Sequence, residues 1–227
     1  MDSLPHGYRA LVIGAGGIGS ALHRALDADV RCGAALLAGR GTALPLSLED
    51  EASIASVAQA LGGQPLHLII DATGTLTVDG TGPEKRLADL DPAVLARAFA
   101  INAIGPALLI KHFADLLPRS GKSVFATLSA RVGSIGDNRL GGWYAYRASK
   151  AALNQLLHTA AIEIARKRPG AVLLALHPGT VRTPLSTPIV GAAGLSPAEA
   201  AAKLLQVIEK ATETGTFLDQ NGKTVPW

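Results

Sequence analysis

A single cysteine in 227 residues excludes an intrachain disulfide, and with it the small bridge-held scaffolds of secreted domains. Cys32 therefore reads as a buried thiol. Charge of one sign is missing as well: 21 basic and 18 acidic residues are spread along the chain and leave a formal net charge of +3, which is no nucleic-acid footprint. The one tight basic run, Arg166-Lys167-Arg168, precedes Pro169-Gly170, where cations complement the end of a helix. No stretch reaches the roughly 18 uninterrupted apolar residues of a membrane span, and Met1 to Gly14 does not pair a basic region with a long apolar run. Clusters of Cys, His, Asp and Glu at ligand spacing are absent, so no metal site is expected, and His112 and His158 read as surface or satisfied helix positions. These absences predict a cytoplasmic protein with neither a nucleic-acid nor a membrane partner.

What is present is a hydrophobic content of 48%, enough for one large core, with no internal repeat and no linker to divide residues 1–227. Short apolar runs alternate with longer segments of helical period, the pattern of a parallel sheet covered by helices on both faces. Strands are predicted at 10–13, 34–38, 66–70, 123–128, 171–176 and 216–218, and helices at 19–28, 53–61, 92–117, 144–168 and 197–212. Only residues 39–43 separate the second strand from the apolar Leu44-Pro45-Leu46. A parallel crossover needs a dozen residues or more. The usual helix is therefore expected to be absent there, leaving a shortened second-to-third strand connection and a short or degenerate edge strand.

Two motifs carry chemistry. Gly14-Ala15-Gly16-Gly17-Ile18-Gly19 follows a predicted strand and opens a predicted helix. Glycines there permit a tight turn and close backbone approach to a pyrophosphate, while the helix N-terminus favours its charge. After the second strand the chain reads Ala38-Gly39-Arg40. With no acid to accept bonds from a ribose 2′-hydroxyl and a guanidinium available for a 2′-phosphate, NADP is favoured over NAD. The second motif is Tyr146-Arg147-Ala148-Ser149-Lys150, which puts a phenol and an ammonium four residues apart on one helix face. A free phenol titrates near ~10, so a neighbouring cation is what equips it for proton transfer near neutrality. Together the motifs point to a nicotinamide-dependent oxidoreductase.

With these motifs in order from Gly14 to Pro184, the chain resembles the short-chain dehydrogenase/reductase family. It is most similar to its C-factor-like and small carbonyl-reductase-like subgroup, through Leu128-Ser129-Ala130-Arg131-Val132-Gly133-Ser134 and Gly141-Gly142-Trp143-Tyr144-Ala145-Tyr146. The resemblance implies a single Rossmann-type doubly wound domain in which Tyr146 is the general acid/base, Lys150 lowers its pKa and holds the nicotinamide ribose, and Asn102 looks to Lys150 through a water. It also implies cofactor contacts from Ala72, Thr73 and Gly74 and from Pro178, Gly179, Val181 and Thr183, a small-molecule carbonyl or alcohol substrate, a shortened substrate lid over residues 183–195, and a homodimer.

Four departures from the family pattern stand out. The glycine loop is one residue shorter than the usual Gly-x-x-x-Gly-x-Gly, and Ser47 occupies a position near the adenine where relatives often carry aspartate. Asp71-Ala72-Thr73-Gly74 replaces the common Asn-Asn-Ala-Gly, with Asp71 read as a structural hydrogen-bond acceptor. Ala130 stands where relatives carry the serine that holds the substrate carbonyl, leaving Ser129 or Ser134 to supply the hydroxyl, with Ser134 preferred for its spacing to Tyr146. Trp143 is either a wall of the substrate pocket or a packing residue. The expected activity is reversible hydride transfer between NADP and a carbonyl or secondary alcohol; the alternative is a dinucleotide-binding regulatory or signalling protein with little turnover.

Overall fold

The computed structural model describes residues 1–184 and 193–227. Its sheet has six parallel strands in the order β2-β1-β3-β4-β5-β6: β1 Tyr8–Ile13, β2 Cys32–Ala38, β3 Leu68–Asp71, β4 Ser123–Leu128, β5 Ala171–His177 and β6 Thr216–Asp219. Alternate residues serve opposite faces. Leu11 and Ile13 of β1 join the core under α2 (Glu51–Leu61), α4 (Gly105–Phe113) and α5 (Tyr144–Lys167). Tyr8, Ala10 and Val12 join the core under α1 (Gly17–Asp27) and α6 (Pro197–Lys210). Strands buried on both faces explain why the sequence shows apolar runs instead of alternation.

The connection after β2 is as short as expected. No helix forms between residues 39 and 47, and the edge strand is reduced to one parallel bridge, Ala38 to Leu44, with Gly39 N–H donating to the Leu44 carbonyl at 3.0 Å. Cys32 differs from expectation, because its place at the start of the edge strand β2 leaves it half-buried.

The predicted helix over 92–117 is continuous but not uniform. It runs as α3 (Pro92–Phe99), a π turn over Ala100–Ile104, α4, and a closing 3-10 turn. By length and composition Pro92–Leu116 is apolar enough to cross a membrane, yet Leu109, Ile110 and Phe113 pack into the sheet, which makes it a core helix.

The helices begin in two different ways. Asp50 caps α2, Asp91 caps α3, and Ser196 with Glu199 forms a capping box on α6. Neither α1 nor α5 has a side-chain cap from its own N-cap residue, Gly16 or Trp143. Both of these helices start at the C-terminal edge of the sheet, where an open α/β fold places its ligands.

Candidate active site

The glycines after β1 divide the work. Gly14 has φ +103°, and a Cβ there would lie 3.0 Å from the Ala72 backbone; a Cβ on Gly19 would come within 1.8 Å of the Gly14 carbonyl oxygen. These two let strand, turn and helix close on one another. Gly17 makes room for Thr183, whose Cγ2 would be 2.8 Å from a Cβ. Gly16 is different, because its Cβ would enter open space. It faces a cleft of about 700 Å³ lined by Gly14, Gly16, Arg40, Thr73, Gly74 and Arg97, among others. The first turn of α1 has no acidic residue, so its free N–H groups and the helix dipole meet that cleft without a competing anion. This is a cradle suited to a phosphate. Arg40 is exposed at the rim and makes no ion pair among the described residues.

A larger groove of about 890 Å³, lined by Gly62, Pro65, Asp115, Arg119 and Arg168, opens beside the start of β3 and the end of α5. It shares no residue with the glycine loop or the Tyr146 helix face. Its buried cation, Arg168, is fully occupied, donating to the Leu117 and Asp115 carbonyls at 3.0 Å each and pairing with the Asp115 carboxylate.

Behind the Gly74 wall of the first cleft, Lys150 is 3% exposed and donates to the Leu128 carbonyl at 2.8 Å. Gly74 admits it: a Cβ at that position, whose φ is +139°, would lie 3.1 Å from Lys150 Nζ and 3.2 Å from Asn102 Oδ1. Burial pushes the Lys150 ammonium down to about 8, with the Asp71 charge opposing that fall. Tyr146 lies one helical turn earlier and lines a small adjoining cavity with Thr75, Glu84 and Asn102; Thr75 and Val78 are common to both cavities. Burial also pushes the phenol up to about 12. Burial is the one cause acting on this phenol among the described residues, and the downward pull expected from Lys150 is not among the causes.

Asn102 sits within the π turn, fully buried. Its Oδ1 accepts from Thr75 N–H at 2.8 Å, while Nδ2 donates to the Thr75 carbonyl at 2.9 Å and to Ser149 Oγ at 3.2 Å. Ser149 in turn donates to the Tyr146 carbonyl at 3.0 Å. The asparagine thus ties the loop after β3 to the tyrosine's own helical turn. A π turn is a common device for presenting such a residue from inside a helix.

The two candidate serines differ in what they have spent: Ser129 uses its hydroxyl proton, and Ser134 only accepts. Ser129 Oγ donates to Asn154 Oδ1 at 2.6 Å, and Ser134 Oγ accepts from Asp137 N–H at 3.0 Å within its own turn. Ser129 directly follows the carbonyl that holds Lys150; Ser134 adjoins Gly133, which packs on the Lys150 backbone. Thr183 reaches the glycine loop, as the contact with Gly17 records. Val181 pairs with Leu195, at the end of the expected 183–195 lid; residues 185–192 of that lid lie outside the described residues. Pro178 and Gly179 turn the chain after β5, where Gly179, at φ +78°, abuts the Gln220 side chain. Ala72 and Thr73 line the cleft, whereas Ile18 points back to the α1 core face.

Two participants escape sequence reasoning, Glu84 and Thr75. Glu84, 6% exposed, accepts Ala145 N–H on Oε2 at 3.1 Å and Trp143 N–H on its carbonyl at 2.5 Å, so it caps the Tyr146 helix from a distant loop. Trp143 is held there at φ +55°, a conformation that costs a non-glycine residue about 1–2 kcal/mol, with its ring edge-on to Tyr146 at a centroid distance of 6.3 Å. Thr75 clamps Asn102. Only Pro83 hints at a turn near Glu84; nothing local marks its partner 61 residues away.

Comparisons with known proteins agree with this geometry. A family model described as enoyl-(acyl carrier protein) reductase matches residues 14–218. The C-signal of Myxococcus xanthus is 37% identical over 166 residues, 72% of this chain and 93% of that protein. A 1-hydroxy-2-glutathionyl-2-methyl-3-butene dehydrogenase from a Rhodococcus species is 32% identical over 96% of this chain and 98% of its own. The NADPH-bound carbonyl reductase from chicken fatty liver superposes with a TM-score of 0.86 at 25% identity, covering 99% of this chain and 96% of the other. With its six-stranded parallel sheet, its glycine cradle and these relatives, the chain belongs to the short-chain dehydrogenase/reductase family of oxidoreductases.

Proposed function

We propose that the protein is an NADP-dependent reductase of small carbonyl compounds, able to run in reverse on secondary alcohols. The observation that carries this reading is convergence: Lys150 Nζ reaches Gly74, a wall of the same cleft that Gly16 opens at the start of α1. The NADPH-bound carbonyl reductase with the same fold supports the choice of cofactor, as does Arg40 at the rim.

When bound, NADPH supplies the hydride. The α1 N-terminus and Gly16 receive the pyrophosphate, Arg40 pairs with the 2′-phosphate, and Lys150 holds the nicotinamide ribose. Pro178, Gly179, Val181 and Thr183 flank the nicotinamide side. Tyr146 gives its phenolic proton to the developing alkoxide. A phenol pushed up to about 12 stays protonated throughout the neutral range and is still far more acidic than an alcohol, so it favours the reducing direction. Asn102 fixes the tyrosine's turn through Ser149 and faces Lys150 across Gly74. Ser129 spends its hydroxyl proton on Asn154, whereas Ser134 Oγ only accepts and keeps its own proton, so Ser134 is the serine that can join Tyr146 in donating to the substrate carbonyl.

Tyr146→Phe tests the acid. Turnover with NADPH and a panel of aldehydes, ketones and quinones should fall roughly 10²–10⁴-fold while NADPH binding stays intact; unchanged turnover would remove the phenol from the mechanism. Arg40→Ala should weaken NADPH binding by roughly tenfold or more while leaving NADH binding unchanged, read by fluorescence titration. A homodimer belongs to the same reading, with exposed Leu156 and Ile162 of α5 as its apolar surface. The similarity to the C-signal, together with Ala130 where relatives carry the carbonyl-holding serine, favours a second reading: a signalling protein that binds the dinucleotide with little turnover. Steady substrate-dependent loss of nicotinamide absorbance excludes it.

A further inference from the structure

Asp71, at the end of β3, is fully buried. Its Oδ1 accepts from Thr73 N–H at 3.0 Å and from Thr73 Oγ1 at 2.5 Å, but its Oδ2 is buried and makes no hydrogen bond. Leaving a buried charged acceptor unmatched is costly unless a compensating charge stands nearby. One does: Asp71 lies opposite Thr127 in the sheet, one residue before the Leu128 whose carbonyl accepts from Lys150 Nζ. Burial raises the Asp71 carboxyl and Lys150 opposes that rise, each being the only ion acting on the other among the described residues. Lys150 has spent one of its three N–H donors, on the Leu128 carbonyl. The chain between them is short, running from Asp71 through the Thr73 turn to Gly74, against which Nζ rests.

Among the described residues, the groups facing the ammonium from each packed element leave Asp71 as its one counter-charge. β4 offers a neutral carbonyl, the π turn offers the neutral Asn102, and α5 offers Tyr146, whose phenol stays protonated. Arg131, just beyond β4, is held by Asp137 and Asp219.

We propose that Asp71 is the counter-ion of Lys150, a positioning residue that keeps the buried ammonium charged and so sets the alkaline limit of the enzyme. An asparagine at this position would keep the bonds to Thr73 through its amide oxygen and supply no charge. The sign follows directly. A carboxylate beside an ammonium favours the protonated form, so removing it lowers the pH at which Lys150 loses its proton. This inference rests on the functional reading above for its catalytic consequence, though not for the pairing itself.

The test is Asp71→Asn, followed first in the cofactor-free protein. With ¹³C-labelled lysine, the Lys150 Cε resonance, assigned by its loss in Lys150→Met, should titrate at a pH lower by a unit or more than in the wild type. In the wild type itself, the Asp71 carboxyl resonance should move as Lys150 titrates, a readout that needs the folding of no variant. In turnover, the alkaline limb of kcat should shift down by the same interval with thermal stability retained. An unshifted Lys150 titration in a folded Asp71→Asn protein, or an Asp71 resonance blind to that step, overturns the pairing. A shifted titration in a protein that turns over no carbonyl would keep the pairing and overturn the reductase.

Discussion

Helices α1 and α6 lie side by side on one face of the sheet and begin in opposite ways. The start of α6 is closed: Ser196 Oγ accepts from Glu199 N–H at 3.2 Å, and Glu199 Oε2 accepts from Ser196 N–H at 2.7 Å. The start of α1 is open, with a glycine at the cap, no acid in the first turn and empty space where a side chain would go. Both are helix N-termini with the same orphan N–H groups. In one the chain satisfies them itself; in the other they are left for something else. The contrast makes α1 the candidate binding element without reference to any motif, and α5, capped by the remote Glu84, stands between the two cases.

Closing the open start should have the largest effect. Gly16 has φ −72° and ψ −174°, which any residue adopts, so Gly16→Asp is compatible with the backbone and places a capping carboxylate at the phosphate cradle. NADPH affinity should fall by roughly 100-fold or more through like-charge repulsion, while thermal stability holds or rises by a few tenths of a kcal/mol. Loss of binding with loss of fold would instead mean that Gly16 is structural. Removing the borrowed cap comes next. Glu84→Ala should cost about 1–2 kcal/mol in urea unfolding and lower kcat more than it raises KM, because Trp143 and Tyr146 lose their anchor. Opening the closed start is the mildest: Ser196→Ala should cost about 1 kcal/mol and leave NADPH binding unchanged. A binding defect in Ser196→Ala would blur the distinction between the two helices.

The fold was legible because its signals are local. Apolar runs such as Ser123–Leu128 and the five-residue gap after Ala38 follow from the chain's own spacing, and the structure has both the strand and the missing helix. Residues 92–117 are also a helix, and its irregularity has a local cause in Pro106, which has no N–H for the Asn102 carbonyl, although a proline alone does not specify a π turn. The glycine loop and the Tyr146-Lys150 spacing were equally readable. Their partners were not, since Glu84 and Asp71 reach the site through tertiary contacts. The choice between Ser129 and Ser134 turns on which hydroxyl proton is free, and the bond that occupies the one on Ser129 comes from Asn154, 25 residues further along the chain.

The π turn also divides a single helix between two territories. Its extra residue rotates everything downstream by roughly 100° relative to an uninterrupted α-helix. Ahead of it, Val94, Leu95 and Ala98 pack with Val78 and Ala145 in a small cluster beside the tyrosine; after it, Leu109, Ile110 and Phe113 belong to the main core. Asn102 occupies the pivot, so the residue that steadies the site is the one at which the helix changes allegiance from local wall to foundation.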